Sequence, residues 1–134
     1  MSYEFWVMSF KLLKMKENNI KNKSFRFAVR IVNLYKYLCN TKKEFVLSKQ
    51  LLRSGTSIGA NVREGQNAES KPDFVHKLAI AQKECDETMY WLELLKESEY
   101  LNEEEFISIH SEASELLKII RSIIITTKKN NNFK

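Results

Sequence analysis

Ser70-Lys71-Pro72-Asp73-Phe74-Val75-His76-Lys77-Leu78-Ala79-Ile80-Ala81-Gln82-Lys83-Glu84-Cys85-Asp86-Glu87-Thr88-Met89-Tyr90-Trp91-Leu92-Glu93-Leu94-Leu95 decides the fold. Phe74, Leu78, Ala81, Cys85, Thr88, Leu92 and Leu95 recur at an unbroken 4-3-4-3-4-3 spacing. That spacing keeps one narrow apolar or small-residue face turned toward a partner, as in a bundle helix. Ser70 with Asp73 three residues later resembles a capping box, and Pro72 is tolerable in the first turn.

A seam of this kind needs other helices to cover it, and the flanking sequence supplies them. A first helix is expected from Ser24, as its cap, to about Cys39, with Phe27, Ala28, Ile31, Leu34, Tyr35 and Leu38 on its core face. Asn40-Thr41-Lys42-Lys43 reads as a short polar connection. A second helix is expected from about Glu44 to Gly65, with Leu47, Leu51, Ser54, Ile58 and Asn61 along one stripe. Asn102 followed by Glu105 signals a fourth start, and Phe106, Ile109, Ala113, Leu116, Ile120 and Ile123 continue it before it frays through Lys128-Lys129-Asn130-Asn131-Asn132. The expected fold is all-α, an antiparallel up-down-up-down four-helix bundle over residues 21–129. Residues 1–20 read as an extension and 130–134 as a disordered tail.

Composition agrees. The chain has 134 residues, 43% apolar and 29% charged, with one proline and three glycines. That suits one domain with a real core, and leaves little room for the many turns of an all-β protein. Cys39 and Cys85 cannot make a disulfide framework, and free thiols suit a reducing cytosol. Met1–Leu13 is rich in large apolar residues, including Phe5, Trp6, Met8 and Phe10, yet no basic residue precedes them and the run is too short to span a bilayer. No membrane partner is expected. The segment is either an added amphipathic stretch that packs on the bundle or a partner, or a translated leader before a true start at Met15.

The net charge of +5 conceals a polar layout. Residues 1–43 hold ten basic and two acidic side chains, residues 71–127 six basic and twelve acidic, and residues 128–134 three lysines. Such a chain attracts a polyanion at one end or docks head to tail on another copy.

Leu52-Arg53-Ser54-Gly55-Thr56-Ser57-Ile58-Gly59-Ala60-Asn61-Val62-Arg63-Glu64-Gly65 is unusual for a helix. Gly55 and Gly59 should each cost about 1 kcal/mol relative to Ala. The packing reading is a close approach of a neighbouring helix over the glycines, with Ser54, Ser57 and Asn61 hydrogen-bonding across it. The alternative makes Asn61 and Glu64 part of a ligand or nucleic-acid site. A phosphate cradle would need a strand-loop-helix context and Gly-Lys-Ser/Thr, and neither is present.

Phe27-Ala28-Val29-Arg30-Ile31-Val32, the segment Gln50–Glu64, Ser70–Leu78 and Lys83–Leu92 together resemble the bacterial four-helix-bundle family of 23S rRNA intervening-sequence proteins. The resemblance runs from about Lys16 to Lys129. It implies an antiparallel four-helix bundle, a ring-shaped homopentamer and no enzymatic activity. A related branch, the accessory variability determinant proteins of diversity-generating retroelements, implies RNA and a reverse transcriptase as possible partners. Arg63 departs from the alanine more usual there, and the acidic back half weakens transfer of the retroelement role.

Chemical alternatives are poorly served. Asp73-x-x-His76, Glu84-x-x-Glu87 and Glu112-x-x-Glu115 suggest a di-metal site, but the first helix offers no carboxylate and Glu84 and Glu87 point away from the seam. No zinc spacing and no Ser-His-Asp or Cys-His arrangement can be assembled. Neither enzyme, metal nor cofactor is expected. Lys21, Lys23, Arg26, Arg30, Tyr37, Lys42, Lys43, Lys128 and Lys129 form the candidate nucleic-acid set, with Tyr37 available to stack on a base. The bland alternative is a basic face that merely keeps a helix solvated. Phe25, Val29 and Val32 beside one seam, and Ile80, Trp91 and Leu94 opposite another, are candidates for a homo-oligomer interface. A DNA or protein partner also stays open.

Overall fold

The computed structural model describes residues 3–131. These form four α-helices and no strand: α1 (Tyr3–Asn40), α2 (Leu47–Gln66), α3 (Lys71–Glu97) and α4 (Glu103–Asn131). Each helix packs on the next, and α4 closes the ring against α1. Pairings across the seams give the directions. Gly55 meets Ile31 and Gly59 meets Ser24 across α1–α2, and Ser54 pairs with Thr88 while Glu64 faces Lys77 across α2–α3. Cys85 lies on Ala113 and Lys96 on Glu103 across α3–α4. Residue numbers rise on one helix as they fall on its neighbour, so every neighbouring pair is antiparallel. The bundle is up-down-up-down.

The α3 seam behaves as its spacing requires. Leu78, Ala81, Cys85, Thr88, Leu92 and Leu95 are buried, and Phe74 packs half-buried at the edge. Phe27, Ile31 and Leu38 of α1, Leu51, Ile58 and Val62 of α2, and Ile109, Ala113, Leu116, Ile120 and Ile123 of α4 complete the core. Thr88 is the one hydroxyl-bearing member of the α3 seam. Its hydroxyl donates to Glu84 O at 2.8 Å and lies 3.0 Å from Ser54 Oγ, so its polarity is satisfied internally.

Three boundaries differ from those expected. Ser24 is no cap: α1 runs unbroken through it for 38 residues, ~57 Å, and its buried hydroxyl donates to Lys21 O. No glycine or proline interrupts Tyr3–Asn40, so the helix continues past the extension into the bundle and buries Ile20. Second, α2 begins at Leu47, because Glu44 lies before the helix and accepts from its first N–H groups. Third, α4 remains helical to Asn131. The tail expected from residue 130 otherwise lies outside the described residues.

Other ends follow their sequence signals. Ser70 accepts from Asp73 N at 3.2 Å with a proline in the first turn of α3. Asn102 Oδ1 accepts from Glu105 N at 2.8 Å, while Glu105 Oε1 accepts from Asn102 N at 2.9 Å. This reciprocal box satisfies two donors that the helix leaves unpaired. Asn102→Ala should lower unfolding stability by about 1 kcal/mol, read as a shift of the urea midpoint at constant slope.

Candidate nucleic-acid interface

Lys23, Arg26 and Arg30 follow one another up one face of α1, and the acidic row of α4 runs antiparallel beside them. Lys23 forms an ion pair with Glu115, and Arg30 with Glu112. Arg30 also donates to Ser108 Oγ at 3.0 Å. Arg53 of α2 bridges Glu84, at 3.2 Å, and Glu87 of α3. The hydrogen bond that Arg53 donates to Glu87 is the main influence raising the Arg53 pKa. Glu87 in turn is held below the usual carboxylate range, first by the Trp91 indole N–H and then by Arg53. The basic front and acidic back of the sequence are thus folded onto each other along the middle of the bundle. Pairs this exposed contribute little stability. Their consequence is that Lys23 and Arg30 already have anionic partners.

The candidate nucleic-acid set is therefore dispersed. Lys21 lines a groove between α1 and α2, and Arg26 is exposed. Tyr37 is half-buried with Lys42 Nζ 6.0 Å from its ring centroid, and Lys43 sits in the following turn at φ 56°. Lys128 and Lys129 lie on the last turns of α4. Lys16 Nζ donates to Ser122 Oγ, which fixes the α1–α4 register. At 1.5 Å per residue, Lys42 and Lys43 lie ~50 Å along the bundle from Lys128 and Lys129. One end holds the former and the other end the latter.

At the second end the structure adds cations that the candidate set does not include. Lys11 and Lys14 on the first turns of α1, Lys71 at the start of α3, and Lys118 and Arg121 on α4 are all exposed. Among the described residues none of these, nor Lys128 or Lys129, forms an ion pair. The opposite corner, around the α3–α4 turn, carries Glu97, Glu99, Glu103, Glu104 and Glu105, all exposed. Nothing in a linear reading brings Lys14, Lys71 and Lys128 to one end. The antiparallel register does.

A cleft of about 410 Å³ opens there, where α1, the α2–α3 turn and the last turns of α4 converge. Phe10, Leu13 and Phe74 give it apolar walls, and Lys14, Glu17, Asn18, Lys71 and Asn130 give it polar ones. Burial raises the Glu17 carboxyl above its ordinary value, with Lys14 opposing. Gln66 Nε2 donates to the Glu17 carbonyl at 3.1 Å and ties the α2 end to α1.

The small-residue segment of α2 lies against α1. A Cβ built on Gly55 would stand 2.7 Å from Ile31 Cγ1, and one on Gly59 would stand 3.2 Å from the Ser24 carbonyl oxygen. Of the three polar residues expected to bond across this contact, only Ser54 crosses a seam, and it meets α3. Ser57 Oγ donates to Arg53 O and Asn61 Nδ2 to Ser57 O, both within α2, because these half-buried side chains reach their own helix first. Glu64 is exposed, 3.9 Å from Lys77 Nζ.

Of the candidate interface residues, Phe25 and Val29 are exposed at 56% and 46%, whereas Val32, Ile80, Trp91 and Leu94 are half-buried. Arg63 lies over the Phe25 ring at 5.8 Å. The first turns of α1 show a larger apolar stripe, with Phe5, Met8, Leu12 and Met15 each more than half exposed at 3-4-3 spacing. That periodicity was present in the sequence.

His76 is exposed, and His110 meets Glu93 at 2.9 Å. Among the described residues no group of three or more His, Cys, Asp or Glu could hold a metal ion. Cys85 donates to Ala113 O, and burial pushes its thiol up to about 12, so it is not a thiolate nucleophile at neutral pH. Among the described residues no helix is long and apolar enough to cross a membrane.

Comparison with known proteins relates the chain to one family model and to solved structures. The family model described as 23S rRNA-intervening sequence protein matches residues 16–122. A solved structure of a protein of unknown function from the S23 ribosomal protein family of Bacteroides thetaiotaomicron is 59% identical, with a TM-score of 0.81 over 81% of this chain and 97% of that one. No curated protein matches the chain.

Proposed function

The chain belongs to the 23S rRNA-intervening sequence protein family, and from that premise we propose that it is a non-catalytic RNA-binding protein acting as a homo-oligomer. One observation carries the reading: Lys23, Arg30 and Arg53 in the middle of the bundle are paired with α4 and α3 carboxylates, while Lys14, Lys71, Lys128 and Lys129 toward one end form no ion pair among the described residues. A polyanion can reach those lysines without displacing an ion pair. Two free thiols support a cytoplasmic setting. Exposed Phe25 and Val29 support self-association, and the resemblance implies five copies of the 15.8 kDa chain.

Fluorescence anisotropy with a labelled RNA tests the binding. Affinity should fall steeply as salt rises from ~50 to ~200 mM. Lys128→Glu/Lys129→Glu should weaken it about tenfold or more, and Lys23→Glu much less, since that side chain already serves Glu115. Absence of binding at low salt, or equal effects of the two changes, overturns the reading. Light scattering that returns one 15.8 kDa chain at micromolar concentration overturns the oligomer.

The exposed glutamates of the α3–α4 corner favour a second reading, an accessory subunit docking a basic protein without direct RNA contact. A 260-to-280 nm absorbance ratio typical of protein alone, after purification at low salt, would favour it.

A further inference from the structure

We infer that the cleft at the basic end holds one splayed nucleotide of a single-stranded RNA, its base against Phe10 and Phe74 and its phosphate against Lys14 and Lys71. This rests on the RNA reading above and assigns the subsite that would distinguish single strands from duplexes. Three observations converge. The cleft encloses about 410 Å³, within the range that takes a small planar ligand. Its walls combine two phenyl rings with two lysines, and a nucleotide is the common ligand that is flat and apolar on its faces and anionic on its flank. Among its other polar groups, Glu17, Asn18 and Asn130 offer acceptors and donors suited to a base edge.

The construction of the cleft is also informative. Phe10, Leu13 and Lys14 precede residue 16, where the family match begins, while Phe74 and Lys71 lie within it. The extension of α1 therefore adds one wall to a surface that the bundle supplies. A base stacked inside a duplex cannot enter such a recess; an unpaired base can be turned out into it.

The test uses the full chain and a 12-nucleotide single-stranded RNA carrying 2-aminopurine, alone and annealed to its complement. Binding of the single strand should quench 2-aminopurine. Phe10→Ala should abolish the quenching and weaken single-strand binding about tenfold. Phe10→Trp should restore both, and duplex binding should change in neither variant. Phe10 is 58% exposed, so its truncation leaves the core intact, which circular dichroism checks. Lys14→Glu should weaken the single strand as well. If the RNA binds but quenching is absent, or Phe10→Ala has no effect, the subsite is overturned while RNA binding stands. If neither RNA form binds, the RNA reading falls and this one with it. If micromolar adenosine monophosphate displaces the base, the cleft serves free nucleotides and the assignment to a strand is overturned.

Discussion

Gly55→Val should destabilise the bundle by about 3 kcal/mol or more. A Cβ at Gly55 would lie 2.7 and 2.8 Å from the Cγ1 and Cγ2 atoms of Ile31, which is fully buried. Ile31 is β-branched and fixed at its first side-chain torsion by its own helix, so it cannot swing aside. The two helices must separate or the core must shift. Gly55→Ala sets a helix-propensity gain of about 1 kcal/mol against an overpacking cost of about 1–3 kcal/mol, and the cost should win by about 1 kcal/mol. At Gly59 the obstacle is the Ser24 carbonyl at 3.2 Å, so alanine there should be closer to neutral. At Gly65 the nearest atom is 3.4 Å away, and alanine should stabilise by up to about 1 kcal/mol. Urea midpoints of the three alanine variants should therefore rise in the order 55, 59, 65. In an Ile31→Ala background the penalty of Gly55→Ala should shrink, since the clashing atoms are gone. Equal midpoints, or Gly65→Ala as the weakest, would remove close approach as the reason for glycine at 55.

Glu44→Ala should cost about 2 kcal/mol, more than an ordinary cap. The residue is buried just before α2, and its carboxylate accepts from Val46 N at 3.0 Å, Leu47 N at 2.9 Å and Ser48 N at 2.7 Å. Burial alone would raise its pKa. The backbone donors of Leu47, Ser48 and Val46, with the Ser48 hydroxyl, outweigh burial and hold it below the ordinary value. A depressed carboxylate contributes stability that is present above the unfolded value, ~4.3, and lost as pH falls through the folded value. The deficit of Glu44→Gln relative to the parent should be full at pH 7 and shrink below about pH 4. A deficit independent of pH would show that shape, not charge, holds the turn.

Much of the core was legible because helical periodicity is a local property. Seven α3 positions at 4-3-4-3-4-3 spacing needed one partner surface, and any bundle supplies it; six of them are buried. Ser70 and Asn102 were legible as caps because their signals lie within three residues. Ser24 misled because a serine before an apolar run looks like a start, whereas helix continuation depends on the absence of a breaker and on what the preceding turns can bury. Glu44 was missed for the converse reason: glutamate is not a favoured cap residue, and its role depends on the turn that follows α1. That turn places Lys43 at φ 56° without a glycine, and the α3–α4 turn does the same with Glu99 at φ 67°. Backbone hydrogen bonds from Glu44 N to Leu38 O and from Tyr100 N to Leu95 O hold them, and no residue type announces these.

The amino-acid sequence by itself determined four amphipathic helices, their antiparallel order through short connections, and a family signature in α2, since each depends on neighbours a few positions apart. The tertiary structure alone decided which charges are spent inside the molecule. Lys23 and Glu115 are 92 residues apart in the chain, Arg30 and Glu112 82, and they meet only because α4 returns beside α1. The same register carries Lys14, Lys71 and Lys128 to one end, beside a cleft that no single helix contains. Charge pairing follows distance in space, and a helical wheel holds the distances of one helix only.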